Sequence, residues 1–275
     1  MSNLPFENEP ISPHIGLEIT GLDLNTLDAD TTAALRQAFN DRHVLVIRDQ
    51  DMTPEQQVRF AERIGEPDIY PLLGGIDGFP MITPIIKEPE ERNNFGGLWH
   101  SDTTYMEAPP MATMLLAREI PPVGGDTLFA SQVAAYEALS DGMKAMLAPL
   151  KAINSSAKAN ATKTREDRVK DDDAKKEFTS CHPVVRTHPE TGKKALYLNV
   201  GHTVRFDGFT EEESAPLLAW LHAHQCREEF QCRVRWRKGT LVMWDNRAAM
   251  HYPVNDYHGY RREMHRITLK GDKVA

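Results

Sequence analysis

Hydrophobic and polar positions along the chain fall into two regimes. Before Pro80, apolar residues are spaced for helices and a few strands. Ile15–Ile19 reads as a short strand and Thr31–Phe39 as a helix, while the unbroken apolar run Val44-Leu45-Val46-Ile47 reads as a buried strand. A helix start follows. Thr53 can cap it, Pro54 suits the first helical position, and Gln56 completes a capping box. Val58, Phe60, Ala61 and Ile64 give that helix an apolar side, and Gly65 ends it.

After Pro80, short apolar runs alternate with turn residues: Met81–Ile86, Met111–Ala117, Thr127–Ala130, Ala195–Val200, Thr240–Trp244 and Ile267–Leu269. Many short strands at this spacing predict a β-sandwich or barrel, so the fold class is mainly β with flanking helices. Gln132–Leu150 predicts one or two short helices. Thr210–His222 predicts another, with Thr210 and Glu213 as a capping box and Leu217, Leu218 and Leu221 buried. Ser155–Phe178 is almost free of large apolar residues and dense in charge. Such a segment cannot pin itself by burial. It reads as a solvated loop or helix, or as a mobile lid over a site.

At 275 residues, the chain fits a single domain over 1–275 that needs no disulfide or metal staple. A formal net charge of −8 argues against nucleic-acid and anionic-membrane partners. The three cysteines, Cys181, Cys226 and Cys232, form no CxxC pair, which argues against a disulfide framework or a zinc ribbon. Met1–Glu7 has neither a basic nor an apolar leader segment. The longest apolar run, Met111–Ala117, falls far short of the roughly 20 residues that span a bilayer. A reducing cytoplasm is the expected compartment.

The chemistry begins at His100-Ser101-Asp102. On a strand, positions i and i+2 face the same way, so an imidazole and a carboxylate could meet at one metal ion. His251, 149 residues after Asp102, supplies a third ligand for a two-histidine, one-carboxylate face of the kind that binds Fe(II) with open positions. Arg262 stands eleven residues beyond His251, and Arg266 four beyond that. An arginine suits a two-pronged carboxylate clamp better than lysine does. On a strand, the two arginines share a face about 13 Å apart at roughly 3.3 Å per residue. They could serve two anions, or one anion and an ion pair, for which Asp256 is a candidate partner of Arg266.

With Gly124-Gly125-Asp126-Thr127, Trp244-Asp245-Asn246 and the Arg262–Arg266 pair, the chain from about Ile15 to Leu269 resembles the taurine dioxygenase / 2,4-dichlorophenoxyacetate dioxygenase family of Fe(II)/2-oxoglutarate-dependent enzymes. The resemblance implies a double-stranded β-helix, a jelly-roll-like core with the metal at its mouth. It implies Fe(II) on His100, Asp102 and His251, and the distal carboxylate of 2-oxoglutarate on Arg262 and Thr127. Arg266 would grip the anionic end of a small-molecule substrate, with Tyr70 and Tyr105 as further candidates to line its site. O2 is the remaining co-substrate, and a homo-oligomer, dimer or tetramer, is expected. Related halogenases lack the carboxylate at the position of Asp102, so its presence favours hydroxylation. If the hydroxylated carbon bears a heteroatom, the C–O, C–S or C–N bond breaks.

Taurine-specific members carry a histidine after the Gly-Glu/Asp-Pro/Leu turn and an asparagine shortly before the HxD motif. Here Gly65-Glu66-Pro67 leads into Asp68-Ile69-Tyr70, and Gly96-Gly97-Leu98 precedes Trp99, which argues against taurine itself. Pro71–Pro80 looks more like the aryloxyalkanoate branch. The rival reading is a cupin-like metal-dependent lyase or hydrolase, which would not need Arg262 and Thr127 together. His182, His188 and His202 are expected to be surface or structural, Trp99 to be packing, and His265 is given no role.

Overall fold

The computed structural model describes residues 4–70, 73–94, 96–158 and 177–274. Its strands in chain order begin with β1 (Glu7–Pro10), β2 (Leu17–Thr20), β3 (Val44–Ile47), β4 (Pro67–Asp68) and β5 (Thr83–Lys87). There follow β6 (Ala112–Glu119), β7 (Thr127–Ser131), β8 (Lys151–Ser155), β9 (Thr179–Pro183), β10 (Val185–Thr187) and β11 (Lys194–Leu196). The last are β12 (Thr203–Phe206), β13 (Gln231–Val234), β14 (Leu241–Asp245), β15 (Ala249–Pro253) and β16 (Arg262–Leu269). The helices are α1 (Ala29–Arg42), α2 (Pro54–Ile64), α3 (Gln132–Glu137), α4 (Asp141–Leu147) and α5 (Glu211–Gln225).

An eight-stranded sheet runs β1-β2-β3-β14-β6-β16, with β4 and β5 both pairing β16. Only β2 and β3 are parallel in it. A three-stranded sheet, β13-β7-β15, packs against one face: Val44, Val46, Val242, Trp244 and Met264 meet Phe129, Val234 and Ala249. The other face is covered by α1 and α2, where Leu45, Ile47, Met243 and Ile267 meet Leu35, Phe39, Phe60 and Ile64. This explains why β3 reads as an unbroken apolar run. Alternate residues point into two different cores, so no position is left for a polar side chain.

The capping boxes at Thr53/Gln56 and Thr210/Glu213 form as the sequence predicts. Several boundaries differ. The first helix starts earlier because Asp28 caps it through Thr31 N, and α5 runs on to Gln225 with Leu217 only half-buried. Gln132–Leu150 splits into α3 and α4, capped by Ser131 and Ser140. Ala195–Val200 contributes only the short β11 to a sheet. The final strand is longer than Ile267–Leu269, since it begins at Arg262 and so carries both arginines. Of Ser155–Phe178, residues 159–176 lie outside the described residues. No helix among the described residues is long and apolar enough to cross a membrane.

Candidate metal and anion site

His100, Asp102 and His251 converge, with one ligand atom from each lying within 4.8 Å of the others. The route is not the one expected. His100-Ser101-Asp102 is not a strand: His100 forms a single antiparallel bridge to His251, and Asp102 opens a turn in which Thr103 has φ +44°. The bridge does the work of the pleat. His100 N donates to His251 O at 3.0 Å and His251 N to His100 O at 2.8 Å, which sets the two rings 4.1 Å apart. The backbone of Gly96 passes so near that a Cβ there would lie 2.8 Å from the His100 ring, at a φ of +71°.

Protonation states suit metal binding. His100 Nδ1 lies 2.7 Å from Leu98 O, which can only accept, so Nδ1 carries a proton and Nε2 is the ring nitrogen on the side of Asp102. That Nε2 is 3.7 Å from Asp102 Oδ1. Burial holds the His251 imidazole well below its ordinary pKa, reinforced by His100 and opposed by Asp102, so the ring is neutral near pH 7. Its Nδ1 meets no hydrogen-bond partner. Burial by itself would raise the Asp102 carboxyl. Arg266 and the Thr113 hydroxyl oppose it, joined by the two histidines only when these are protonated, and the carboxyl is held below its ordinary pKa. Two imidazoles, one of them held neutral by burial, and an ionised carboxylate fit a divalent cation.

Two guanidiniums on β16 are buried, and one of them, Arg266, meets Asp102. Arg262 lies over Trp236 and Tyr257, with Cζ 5.5 and 5.9 Å from the ring centroids. The Trp236 ring under Arg262 donates from Nε1 to the Thr127 hydroxyl at 2.9 Å. The preceding turn is pinned by Asp256 Oδ1, which accepts from Gly125 N at 2.7 Å and sits where a Gly124 Cβ would go. Arg262 Nε has no hydrogen-bond partner. Arg266 lies over Tyr70 at 4.6 Å, and its Nη2 is 3.1 Å from Asp102 Oδ1, placed for charge attraction but not aligned for a hydrogen bond. Its ion-pair partner is therefore Asp102 and not Asp256, which faces Arg233 instead.

Tyr105 is buried, edge-on to His202 at 4.9 Å and stacked with Phe178 at 6.3 Å. Trp99 stacks on Tyr252 at 5.8 Å, a packing role. His182 and His188 are buried structural groups, hydrogen-bonded to Met106 O and Asp245. His202 is buried too, with its ring 6.4 Å from that of His100. Trp236, Tyr257 and His202 have no signal in the sequence, since nothing in their spacing points at His100 or Arg262. His265 pairs with Glu263 at 3.3 Å.

Two imidazoles and one carboxylate on one side of a metal are the mark of non-haem iron oxygenases that keep coordination positions open, and two buried cations beyond them suit two anionic ligands. Comparison with known proteins narrows this class. The family model described as "Taurine catabolism dioxygenase TauD, TfdA family" matches residues 7–268. The chain is 36% identical to an alpha-ketoglutarate-dependent sulfate ester dioxygenase of Pseudomonas putida, over 98% of this chain and 91% of that protein. It is 35% identical to an alkylsulfatase of Acinetobacter baylyi, over 95% and 84%. The crystal structure of a taurine dioxygenase from Burkholderia xenovorans superimposes with a TM-score of 0.84 at 34% identity, covering 98% of this chain and 91% of that one. The chain belongs to the TauD/TfdA family and is an alpha-ketoglutarate (2-oxoglutarate)-dependent dioxygenase, which sets aside the lyase or hydrolase reading.

Proposed function

We propose that the eight-stranded sheet and the β13-β7-β15 sheet form the double-stranded β-helix of a single-domain, Fe(II)- and 2-oxoglutarate-dependent hydroxylase of small organic anions. His100, Asp102 and His251 would hold Fe(II). Arg262 and Thr127 bind the distal carboxylate of 2-oxoglutarate. Arg266, with Tyr70 and Tyr105, receives the carboxylate, sulfonate or sulfate end of the substrate. When bound, the metal with 2-oxoglutarate and O2 supplies oxidation of a substrate C–H bond, with succinate and CO2 as co-products. The chain's own residues orient the two anions and keep bulk water from the reacting carbon.

The observation that carries this reading is the pair of buried arginines on β16, in which Nε of Arg262 and Nε and Nη2 of Arg266 meet no hydrogen-bond partner. A buried donor left unmade costs about 1–3 kcal/mol, and more on a charged group, so both positions favour an incoming anion. With a net charge of −8, long-range attraction does not bring an anion in, and the local cations must capture it. The test is succinate release across a panel of alkyl sulfates, alkyl sulfonates, small carboxylates and aryloxyacetates. Alkyl sulfates lead the panel because of the relatives named for sulfate esters. No succinate release above the substrate-free rate with any of them would refute the reading.

Two variants separate the anion roles. Arg262→Lys keeps the charge but loses the two-pronged donor, so 2-oxoglutarate affinity falls by about 1.5–3 kcal/mol, roughly ten- to a hundredfold. An unchanged affinity in anaerobic titration removes the clamp role. Arg266→Ala raises the substrate KM by at least about tenfold, the loss of one charge-assisted contact, and leaves 2-oxoglutarate binding nearly intact. Equal loss of both ligands, or an uncharged best substrate, rejects the role given to Arg266.

A further inference from the structure

Behind one of the three candidate ligands runs a chain of hydrogen bonds. Thr113, on β6, is completely buried, and its hydroxyl donates to Asp102 Oδ2 at 2.6 Å. Asn246 Nδ2 donates to the same hydroxyl at 3.0 Å. A threonine hydroxyl has a single proton, and a donor at its lone pair directs that proton to the carboxylate. The Asn246 amide is itself held one way round. Its Oδ1 accepts from Trp244 Nε1 at 3.1 Å and from Asp102 N at 3.2 Å. The two oxygens of Asp102 are thus made unlike. Oδ2 faces β6, whereas Oδ1 faces His100 Nε2 at 3.7 Å and Arg266 Nη2 at 3.1 Å.

We propose that Thr113, oriented by Asn246, is a positioning residue that holds Asp102 with Oδ1 as its metal-facing oxygen, an inference that rests on His100, Asp102 and His251 being the metal site. The torsion that turns a carboxylate is broad and roughly two-fold, so without a partner either oxygen, or both, can face a cation. Engaging Oδ2 removes that freedom and keeps the group a one-oxygen ligand. Groups that orient metal ligands in this way are worth about ten- to a hundredfold in metal affinity. The sheet supplies the rigidity. Thr113 lies opposite Trp244 on β14 and Thr268 on β16, in the middle of the eight strands.

The experiment compares Mn(II) binding, followed by electron paramagnetic resonance, in wild type, Thr113→Val, Thr113→Ser and His100→Ala. Valine is nearly isosteric and β-favouring, so the strand is kept. Thr113→Ala serves as a second hydroxyl-free variant if valine perturbs the sheet. Mn(II) affinity is expected to fall about ten- to a hundredfold on loss of the hydroxyl, with an altered bound-metal line shape, and Thr113→Ser is expected to restore both. Wild-type affinity in Thr113→Val overturns the proposal while leaving the metal site standing. An equal loss in the serine and valine variants also overturns it, because packing rather than the hydroxyl would then be at work. If His100→Ala binds Mn(II) as wild type does, the metal-site assignment fails, and this inference with it.

Discussion

His100→Ala is expected to take substrate-dependent succinate release down to background and to abolish tight Mn(II) or Fe(II) binding, with the protein still folded. Of the three candidate ligands His100 is the cleanest to remove. Its side chain retains 14% exposure, so truncation leaves little sealed cavity. His251 is packed between Trp244 at 4.7 Å and Phe129 at 6.0 Å, and its loss opens space in the core as well as removing a ligand. Asp102 is worse again as a probe, because its removal strands the buried Arg266 guanidinium without its counter-charge. The melting temperatures should therefore fall in the order wild type, His100→Ala, His251→Ala, Asp102→Ala, while all three variants lose turnover. The fold does not lean on the metal, since two cores flank the large sheet on either face. Succinate release at the wild-type rate in His100→Ala would show that this histidine holds no catalytic metal.

Much of this site was legible in the sequence because its parts are short local patterns of distinctive residue types. The HxD text, the distal histidine and the i, i+4 arginines each survive as local patterns. What brings them together was not legible. The His100–His251 bridge joins segments about 150 residues apart, and no periodicity announces it. HxD was read as a pleat, yet the convergence comes from a bridge followed by a turn. Arg266 was given Asp256 as its rival partner on proximity in the sequence. The fold instead brings β16 alongside β6, close to Asp102. The helices were legible through their caps, with errors at the ends, because a cap is a local hydrogen bond and the last turn depends on tertiary packing. The pairing of buried charges was not legible: Asp245 was read only as part of a motif and His188 as surface or structural, and neither they nor Arg247 carry the apolar spacing by which interiors are recognised.

Those three residues carry the largest expected effect on stability. The fully buried Asp245 carboxylate accepts from Arg247 Nε at 2.8 Å, Arg247 Nη2 at 2.7 Å and His188 Nε2 at 2.9 Å. Arg247 also reaches Glu190 at 2.8 Å, and Glu190 meets Arg36 on α1 at 3.1 Å. The network ties the β10–β11 hairpin and α1 to the turn that leads into β15 and His251. Asp245→Ala leaves a buried guanidinium with only a half-exposed partner, which is expected to cost about 3–5 kcal/mol, or roughly 5–9 °C in melting temperature for a chain of this size. Arg36→Ala removes a half-exposed outer partner and is expected to cost under about 1 kcal/mol. The acid dependence follows in sign. Burial raises the Asp245 carboxyl, but Arg247 and His188 prevail and hold it below its ordinary 3.8. Its contribution is therefore complete above that value and is lost as the pH falls through the lowered folded-state pKa. Between pH 5 and 8 the stability gap between wild type and Asp245→Ala should be flat, and it should narrow only in strong acid. A melting temperature within 2 °C of wild type, or a gap that opens as the pH falls, would mean that the network does not hold this end of the sheet.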